Sequence, residues 1–321
     1  VDIEWAEDLG TFNSRTARVW AAGEPRSSFL KQPTSELWSI EAARGEAGFY
    51  RLVASLPDHP PVVPRAIEIG DGAEPFLVLE DLSATHRAPL SRDDTLAGEG
   101  VPSEADQLAV VDTLARLKAF WWDHPLQGSL LPAYWSAESE GFLPYAKRRR
   151  ASWMKVRNDL PSKANETYEH LLDGLPTYWE RWLGPRVADG RGLTLLHGDA
   201  YFSNFLVPRT TGHAYLIDWQ SCCVDVGAGD LVNLMATFWT REQRRGRERE
   251  LLREFHRRLV GYGVAGYAFD DLLLDYRFGL VYWALMPVQD AHDGAARSYW
   301  LPKLTCLLDA FDEWDCADLL I

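Results

Sequence analysis

Cysteine is scarce, with four residues in 321, at positions 222, 223, 306 and 316. Adjacent Cys222 and Cys223 are poorly placed to pair with each other, and the spacing shows none of the regularity of a secreted disulfide scaffold. A reducing cytoplasmic setting fits this usage. No uninterrupted apolar run approaches ~18 residues, so no membrane-spanning helix is expected. The opening VDIEWAEDLG has neither the basic start nor the apolar stretch of a signal peptide, and its abruptness suits a chain lacking a few native N-terminal residues. Positive charge is also short. The 33 Lys and Arg against 47 Asp and Glu leave a formal charge of −14, which disfavours nucleic acid or an anionic membrane as a partner. Internal repeats and low-complexity linkers are absent as well.

What remains is an ordinary globular composition, 46% hydrophobic and 25% charged, long enough for two domains at roughly 150 residues each. Residues 1–82 read as short strands around one helix. RTARVWAA and SSFLKQP alternate as a hairpin would, EPFLVLEDL is a buried strand ending in acids, and residues 36–56 carry apolar positions at helical spacing. DHPPVVP ends that helix. A polar connection follows Leu82, and from Ser103, a plausible N-cap, the chain turns mainly helical. Helices are expected at about 103–124, 140–158, 162–183, 228–239, 241–261, 269–285 and 299–315. Only LTLLHGD, FLVPR and AYLIDWQ interrupt them as short β segments.

Those interruptions carry the chemistry. LTLLHGDAYFSNFLVPRTTGHAYLIDWQ, residues 193–220, gives a strand, a loop with His197, Gly198 and Asp199, then Asn204, and a hairpin ending at Asp218. A carboxylate at a loop mouth can accept a hydroxyl proton, while an amide and a second carboxylate offer oxygen ligands to Mg²⁺. That is what phosphoryl transfer from a Mg-nucleotide requires. A hydrated Asx-rich turn would explain neither the spacing nor the apolar flanks.

The pattern H-G-D-x-x-x-x-N followed by I-D-W resembles the aminoglycoside phosphotransferase and choline kinase superfamily. EDLSATH, KAFWWDHP, HGDAYFSNFLVPR and YLIDWQ are most similar to its ecdysteroid-kinase-like and uncharacterised bacterial branches. The resemblance implies an α+β, bilobal protein-kinase-like fold, with a small β-rich N-lobe over 1–82, a hinge at about 78–82 and a large helical C-lobe over 83–321. It implies Asp199 as catalytic base, Asn204 and Asp218 as Mg²⁺ ligands, and His197 as a structural member of the loop. Lys31, the only lysine in the first 117 residues, would meet the ATP phosphates, oriented by Glu46 or, second, Glu41. Backbone groups at Glu80, Asp81 and Leu82 would meet the adenine edge, and Asp230 would support the catalytic loop. A glycine-rich G-x-G-x-x-G loop is missing. DLGTFNSRTARVW offers Gly10 alone, around which amides and hydroxyls could still cradle phosphate.

The expected activity is ATP- and Mg²⁺-dependent transfer of the γ-phosphoryl group to a hydroxyl of a small molecule, aminoglycoside-like, sugar-like or another polycyclic or glycosidic alcohol. Two other readings stand beside it: a catalytically silent kinase-like binding module, and a metal-dependent hydrolase on His197, Asp199 and Asp218. The absence of an A-P-E segment after Asp218 disfavours a protein substrate. The many aromatics of the helical part read as core, with some available to an acceptor pocket. Glu138, Glu140, Asp225, Asp290 and Asp293 could neutralise an acceptor amine. KRRR at 147–150 and REQRRGRERE from 241 read as solvated faces.

Overall fold

The computed structural model describes residues 2–5, 14–20, 26–70, 72–127 and 141–321. It divides into two compact units. The first comprises residues 1–89 and 204–222, the second residues 90–203 and 223–321. The division therefore falls after Pro89 instead of Leu82, and the hairpin that carries Asp218 groups with the N-terminal strands.

In chain order the first unit contains β1 (Asp2–Trp5), β2 (Ser14–Trp20), β3 (Ser28–Pro33), α1 (Leu37–Ala54), β4 (Ala66–Gly70), β5 (Phe76–Glu80) and β6 (His86–Arg87). Strands β1 to β5 form one antiparallel sheet in the order β1-β2-β3-β5-β4. β3 is thus central, with Lys31 paired across to Thr16 on one side and Leu77 on the other. Ala17, Val19 and Leu30 make its small core. α1 covers the sheet with Ala47, Phe49, Tyr50 and Leu52 buried. Each large apolar side chain so buried stabilises the unit by about 1.5–3 kcal/mol.

The second unit follows with α2 (Arg92–Ala97), α3 (Glu104–Trp121), α4 (Phe142–Val156), α5 (Ser162–Tyr178), α6 (Gly184–Asp189) and β7 (Leu193–Leu196). The chain then returns to the first unit for β8 (Phe205–Pro208) and β9 (Tyr215–Leu216), which pair with each other, β8 pairing also with β6. It closes in the second unit with β10 (Cys223–Val226), α7 (Gly229–Met235), α8 (Arg241–Arg244), α9 (Glu248–Gly261), α10 (Phe269–Trp283), α11 (Met286–His292) and α12 (Arg297–Glu313). β10 pairs antiparallel with the fully buried β7, Cys223 opposite Leu196 and Val226 opposite Leu193. The expected Ser103 cap is present, its hydroxyl accepting from the Asp106 N–H at 3.2 Å.

Two differences from the sequence reading have physical causes. The helix expected over 241–261 breaks into α8 and α9 at Gly246, whose φ of +84° belongs to the left-handed region that a side chain disfavours. The basic runs are not simply solvated. Arg244 is 1% exposed, donating to the carbonyls of Trp239 and Cys306 and to Glu313. Arg149 is buried over the Tyr145 ring at 4.5 Å. Charge periodicity in sequence cannot distinguish an arginine that faces water from one spent on interior carbonyls. Of the tryptophans of the helical part, Trp121, Trp153, Trp239, Trp283 and Trp300 are buried, while Trp122, Trp179 and Trp182 are half-buried. No helix among the described residues is long and apolar enough to cross a membrane.

Candidate active site

In the first unit three ionic side chains converge. The Lys31 ammonium lies 2.7 Å from Glu46 and also contacts Asp218. Glu46 is 2% exposed on the covered face of α1, and its second oxygen accepts the Trp219 N–H at 3.1 Å. Trp219 stacks on Phe49 with centroids 4.1 Å apart, and its indole N–H donates to the Leu216 carbonyl. The carboxylate that holds Lys31 therefore also holds the backbone directly after Asp218. Burial works against the Lys31 charge, but Glu46 and Asp218 outweigh it and hold the ammonium above its ordinary pKa.

The β8–β9 hairpin brings Asn204 and Asp218 to one end. Phe205 pairs with Leu216, and the Ile217 N–H donates to the Asn204 carbonyl at 2.9 Å. Asp218 itself adopts φ +73° and ψ +62°, a conformation uncommon for a residue with a side chain and often kept where function demands it. An amide and a carboxylate are the right donor chemistry for Mg²⁺, which takes one or two protein oxygens and completes its shell with water and phosphate. No group of three or more His, Cys, Asp or Glu side chains among the described residues is arranged to hold a metal ion by itself. Tyr50, one turn after Glu46 on α1, was not singled out from sequence. Its buried hydroxyl has no hydrogen-bond partner among the described residues and feels the charges of Glu46 and Asp218.

The acids at the expected hinge are engaged by protein groups. Asp81 accepts from Ser27, from Arg18 at 3.1 Å and from the Ser83 N–H at 2.9 Å, bonds that draw its carboxyl below the usual range despite burial. Glu80 accepts the Arg65 N–H through its side chain and donates its own N–H to the Arg65 carbonyl. The Leu82 carbonyl accepts from Thr85 and His86. These side chains fasten the end of β5. Gly10 lies outside the described residues.

In the second unit the His197–Asp199 loop hangs from one buried carboxylate. Asp230, at the start of α7, accepts from the N–H groups of His197 at 2.8 Å and Gly198 at 3.0 Å, and from Lys118. Burial pushes the Asp230 carboxyl up, but Lys118 and these donors hold it below the usual range. Asn233 donates to the Gly198 carbonyl at 2.7 Å, and the His197 ring nitrogen Nδ1 accepts the Asp199 N–H at 3.2 Å. Gly198 has φ +87°, so a side chain there would strain the turn that presents Asp199. Lys118 escaped the sequence reading. The only signal was a lysine on the apolar face of α3, between Leu117 and the Phe120-Trp121 pair. Its ammonium also donates to the Leu195 carbonyl at 2.6 Å.

Tyr201 and Phe238 meet with ring centroids 5.3 Å apart and border a shallow cleft, with Trp239 and Asn233 also lining it beside the exposed acids Asp94 and Glu99 on α2 and its C-terminal turn. Asp290 is paired with Lys303, and Asp293 accepts from Gln289. Glu138 and Glu140 lie outside the described residues.

The sequence pattern of the phosphotransferase enzyme family, APH, matches residues 7–273. The chain belongs to this family. It is accordingly an enzyme, a small-molecule phosphotransferase. Among solved structures it is similar to an ethanolamine kinase of Plasmodium vivax, at 13% identity and TM-score 0.62, over 98% of this chain and 84% of that one. It is also similar to an aminoglycoside 2′-phosphotransferase-IIIa solved with GDP, at 16% identity and TM-score 0.55, over 98% and 93%. A spectinomycin phosphotransferase solved with ADP and spectinomycin aligns at 13% identity and TM-score 0.55, over 99% and 92%. These likenesses establish the bilobal protein-kinase-like α+β fold. No curated protein matches the chain by sequence.

Proposed function

We propose that this phosphotransferase moves the γ-phosphoryl group of ATP to a hydroxyl of a small molecule, with Asp199 as the base. As the acceptor oxygen bonds to the γ-phosphorus, Asp199 takes its proton, and the bond from that phosphorus to the β–γ bridging oxygen breaks with ADP leaving. The observation that carries this reading is the Lys31–Glu46–Asp218 cluster, which supports a phosphate-facing ammonium fixed next to a carboxylate suited to Mg²⁺. Asn204 and Asp218 would hold the ion, which when bound neutralises phosphate charge. Lys31 would fix the phosphates while Glu46 fixes Lys31, and catalysis would come chiefly from positioning and charge.

Nucleotide use is in keeping with the GDP and ADP held by two of the structural relatives. Backbone groups of the 80–82 segment other than the Glu80 N–H and Leu82 carbonyl would meet the base, with Asp81 acting as a fastener. The acceptor would belong to the helical unit, beside Tyr201, and the enzyme would work in the cytoplasm without nucleic acid or membrane as partner.

The test is ADP release across a panel of alcohols with Mg²⁺ and ATP, confirmed by a phosphate mass gain on the acceptor. Asp199→Asn should abolish turnover while nucleotide binding persists. Full activity in that variant would remove the assignment of the base, and nucleotide binding by the unmutated protein without ADP release would make the chain a silent binding module.

A further inference from the structure

In the helical unit one carboxylate already has an ammonium of its own. Lys303, on α12, is 3% exposed and donates to Asp290, on α11, at 2.8 Å. Its Nζ also lies 5.3 Å from the centre of the Tyr299 ring. Tyr299 contacts Phe238, which contacts Tyr201, and Tyr201 stands two residues after Asp199 with its N–H on the Asp199 carbonyl. The Asp199 charge reaches both the Tyr201 hydroxyl and the Lys303 ammonium, and Asp290 acts on both as well. Asp199, Tyr201, Tyr299, Asp290 and Lys303 are therefore electrostatic neighbours within a single unit.

A buried, unpaired ammonium is costly and a buried unpaired carboxylate equally so, which is why the two hold each other. The pair is not sealed, since the Asp290 side chain is 21% exposed. An ammonium on an incoming acceptor would find its place at Asp290 already filled by Lys303. A neutral hydroxyl meets no such conflict. It can donate to the exposed edge of Asp290 while Lys303 keeps its own bond to that carboxylate, and the aromatic rings offer apolar faces to the carbon skeleton. The exposed acids Asp94 and Glu99 are solvated and weigh little against a buried pair.

We propose that Asp290 and Lys303 form an acceptor-reading pair that selects an uncharged polyhydroxylated compound, sugar-like or glycosidic, over its amine-bearing counterpart. This rests on the phosphotransferase reading above and narrows its acceptor class.

The experiment compares matched acceptors, glucose against glucosamine and neutral methyl glycosides against the corresponding amino glycosides, by ADP release and acceptor mass gain. The unmutated enzyme should prefer the neutral member of a pair by tenfold or more in kcat/KM. Lys303→Met, which uncovers Asp290, should reverse that ratio by at least tenfold while KM for ATP stays unchanged. If Lys303→Met does not fold, Asp290→Asn/Lys303→Met keeps a neutral pair and should raise KM for the neutral acceptors with the amine preference still low. A purely structural pair would lower activity on both members equally, and an unchanged ratio in both variants overturns the proposal. So does a preference of the unmutated enzyme for the amines, or turnover of no neutral member of the panel. None of these outcomes touches the phosphotransferase reading, which stands or falls on ADP release with any acceptor and its loss in Asp199→Asn.

Discussion

The ammonium of Lys118 and the carboxylate of Asp230 meet inside the helical unit with 0% and 1% of their side chains exposed. Lys118→Met would leave Asp230 charged and buried, held only by two amide donors. The expected loss is about 3–5 kcal/mol of unfolding free energy, the magnitude for breaking one partner of a buried pair. Urea unfolding checks it. Lys118→Met/Asp230→Asn should recover part of that loss, because an asparagine oxygen can still accept one of the two loop N–H groups while no charge is stranded. Recovery of stability without recovery of turnover would show that both amides must be held for Asp199 to work.

Glu46 serves two donors at once, Lys31 through one oxygen and the Trp219 N–H through the other. Glu46→Gln keeps a single acceptor, so either Lys31 or the segment after Asp218 loses its anchor. A fall of roughly 10–10²-fold in kcat/KM is expected, with Lys31→Met lower still at about 10²–10³-fold, the range for removing one charge-stabilising donor. Steady-state kinetics with varied Mg-ATP reads both. Equal activity of Lys31→Met and the unmutated enzyme would contradict a phosphate-facing Lys31.

Much of this arrangement is legible in sequence, and the limit is physical. The 193–220 stretch is readable because its polar residues interrupt apolar strands at fixed spacing, so Asn204 and Asp218 at one hairpin end follow from register. α1, α3 and α10 follow from long periodic runs. Lys118 and Lys303 are hidden because a lone lysine in a helix, even one on an apolar face as Lys118 is, does not reveal its partner until the carboxylate opposite it is known, and Asp230 lies 112 residues away from Lys118. Asp81 has the opposite history. Its acid stands in a recognisable segment, yet the structure spends it on Ser27, Arg18 and Ser83. The short elements β4, β6, β10 and α11 carry too few residues for a period to declare itself.

Asp275, fully buried on α10, accepts two hydrogen bonds from Arg186 and one from Tyr267, yet burial pushes its carboxyl up to about 6. The folded state therefore holds a proton that the unfolded chain, with its ordinary pKa near 4, has released. From about pH 4 to pH 6 the folded protein binds more protons than the unfolded one, so this group's contribution to stability falls as pH rises, at up to about 1.4 kcal/mol per pH unit. Urea midpoints of the unmutated protein and Asp275→Asn, compared at pH 4.5 and pH 7, isolate it. The stability difference should move in favour of aspartate at the lower pH. Movement the other way would mean that the Arg186 pairing dominates over burial.

The four thiols should separate into two classes. Burial pushes Cys306 up to about 11 and raises Cys316 as well, and both lie in the core of the helical unit. At pH 8 a thiol with a pKa near 11 is thiolate about one part in a thousand, and the thiolate is the reactive form. Cys222 and Cys223 are half-buried on the segment leading from Asp218 into β10. Titration with a chromogenic disulfide at pH 8 should thus find no more than two reactive thiols in the native protein and four after denaturation. A third reactive thiol in the native state would require the packing of α12, or of the C-terminal turn that carries Cys316, to open on the timescale of the assay. Thermal unfolding monitored beside the titration would tell such local opening from global unfolding, since only the latter would follow the melting curve.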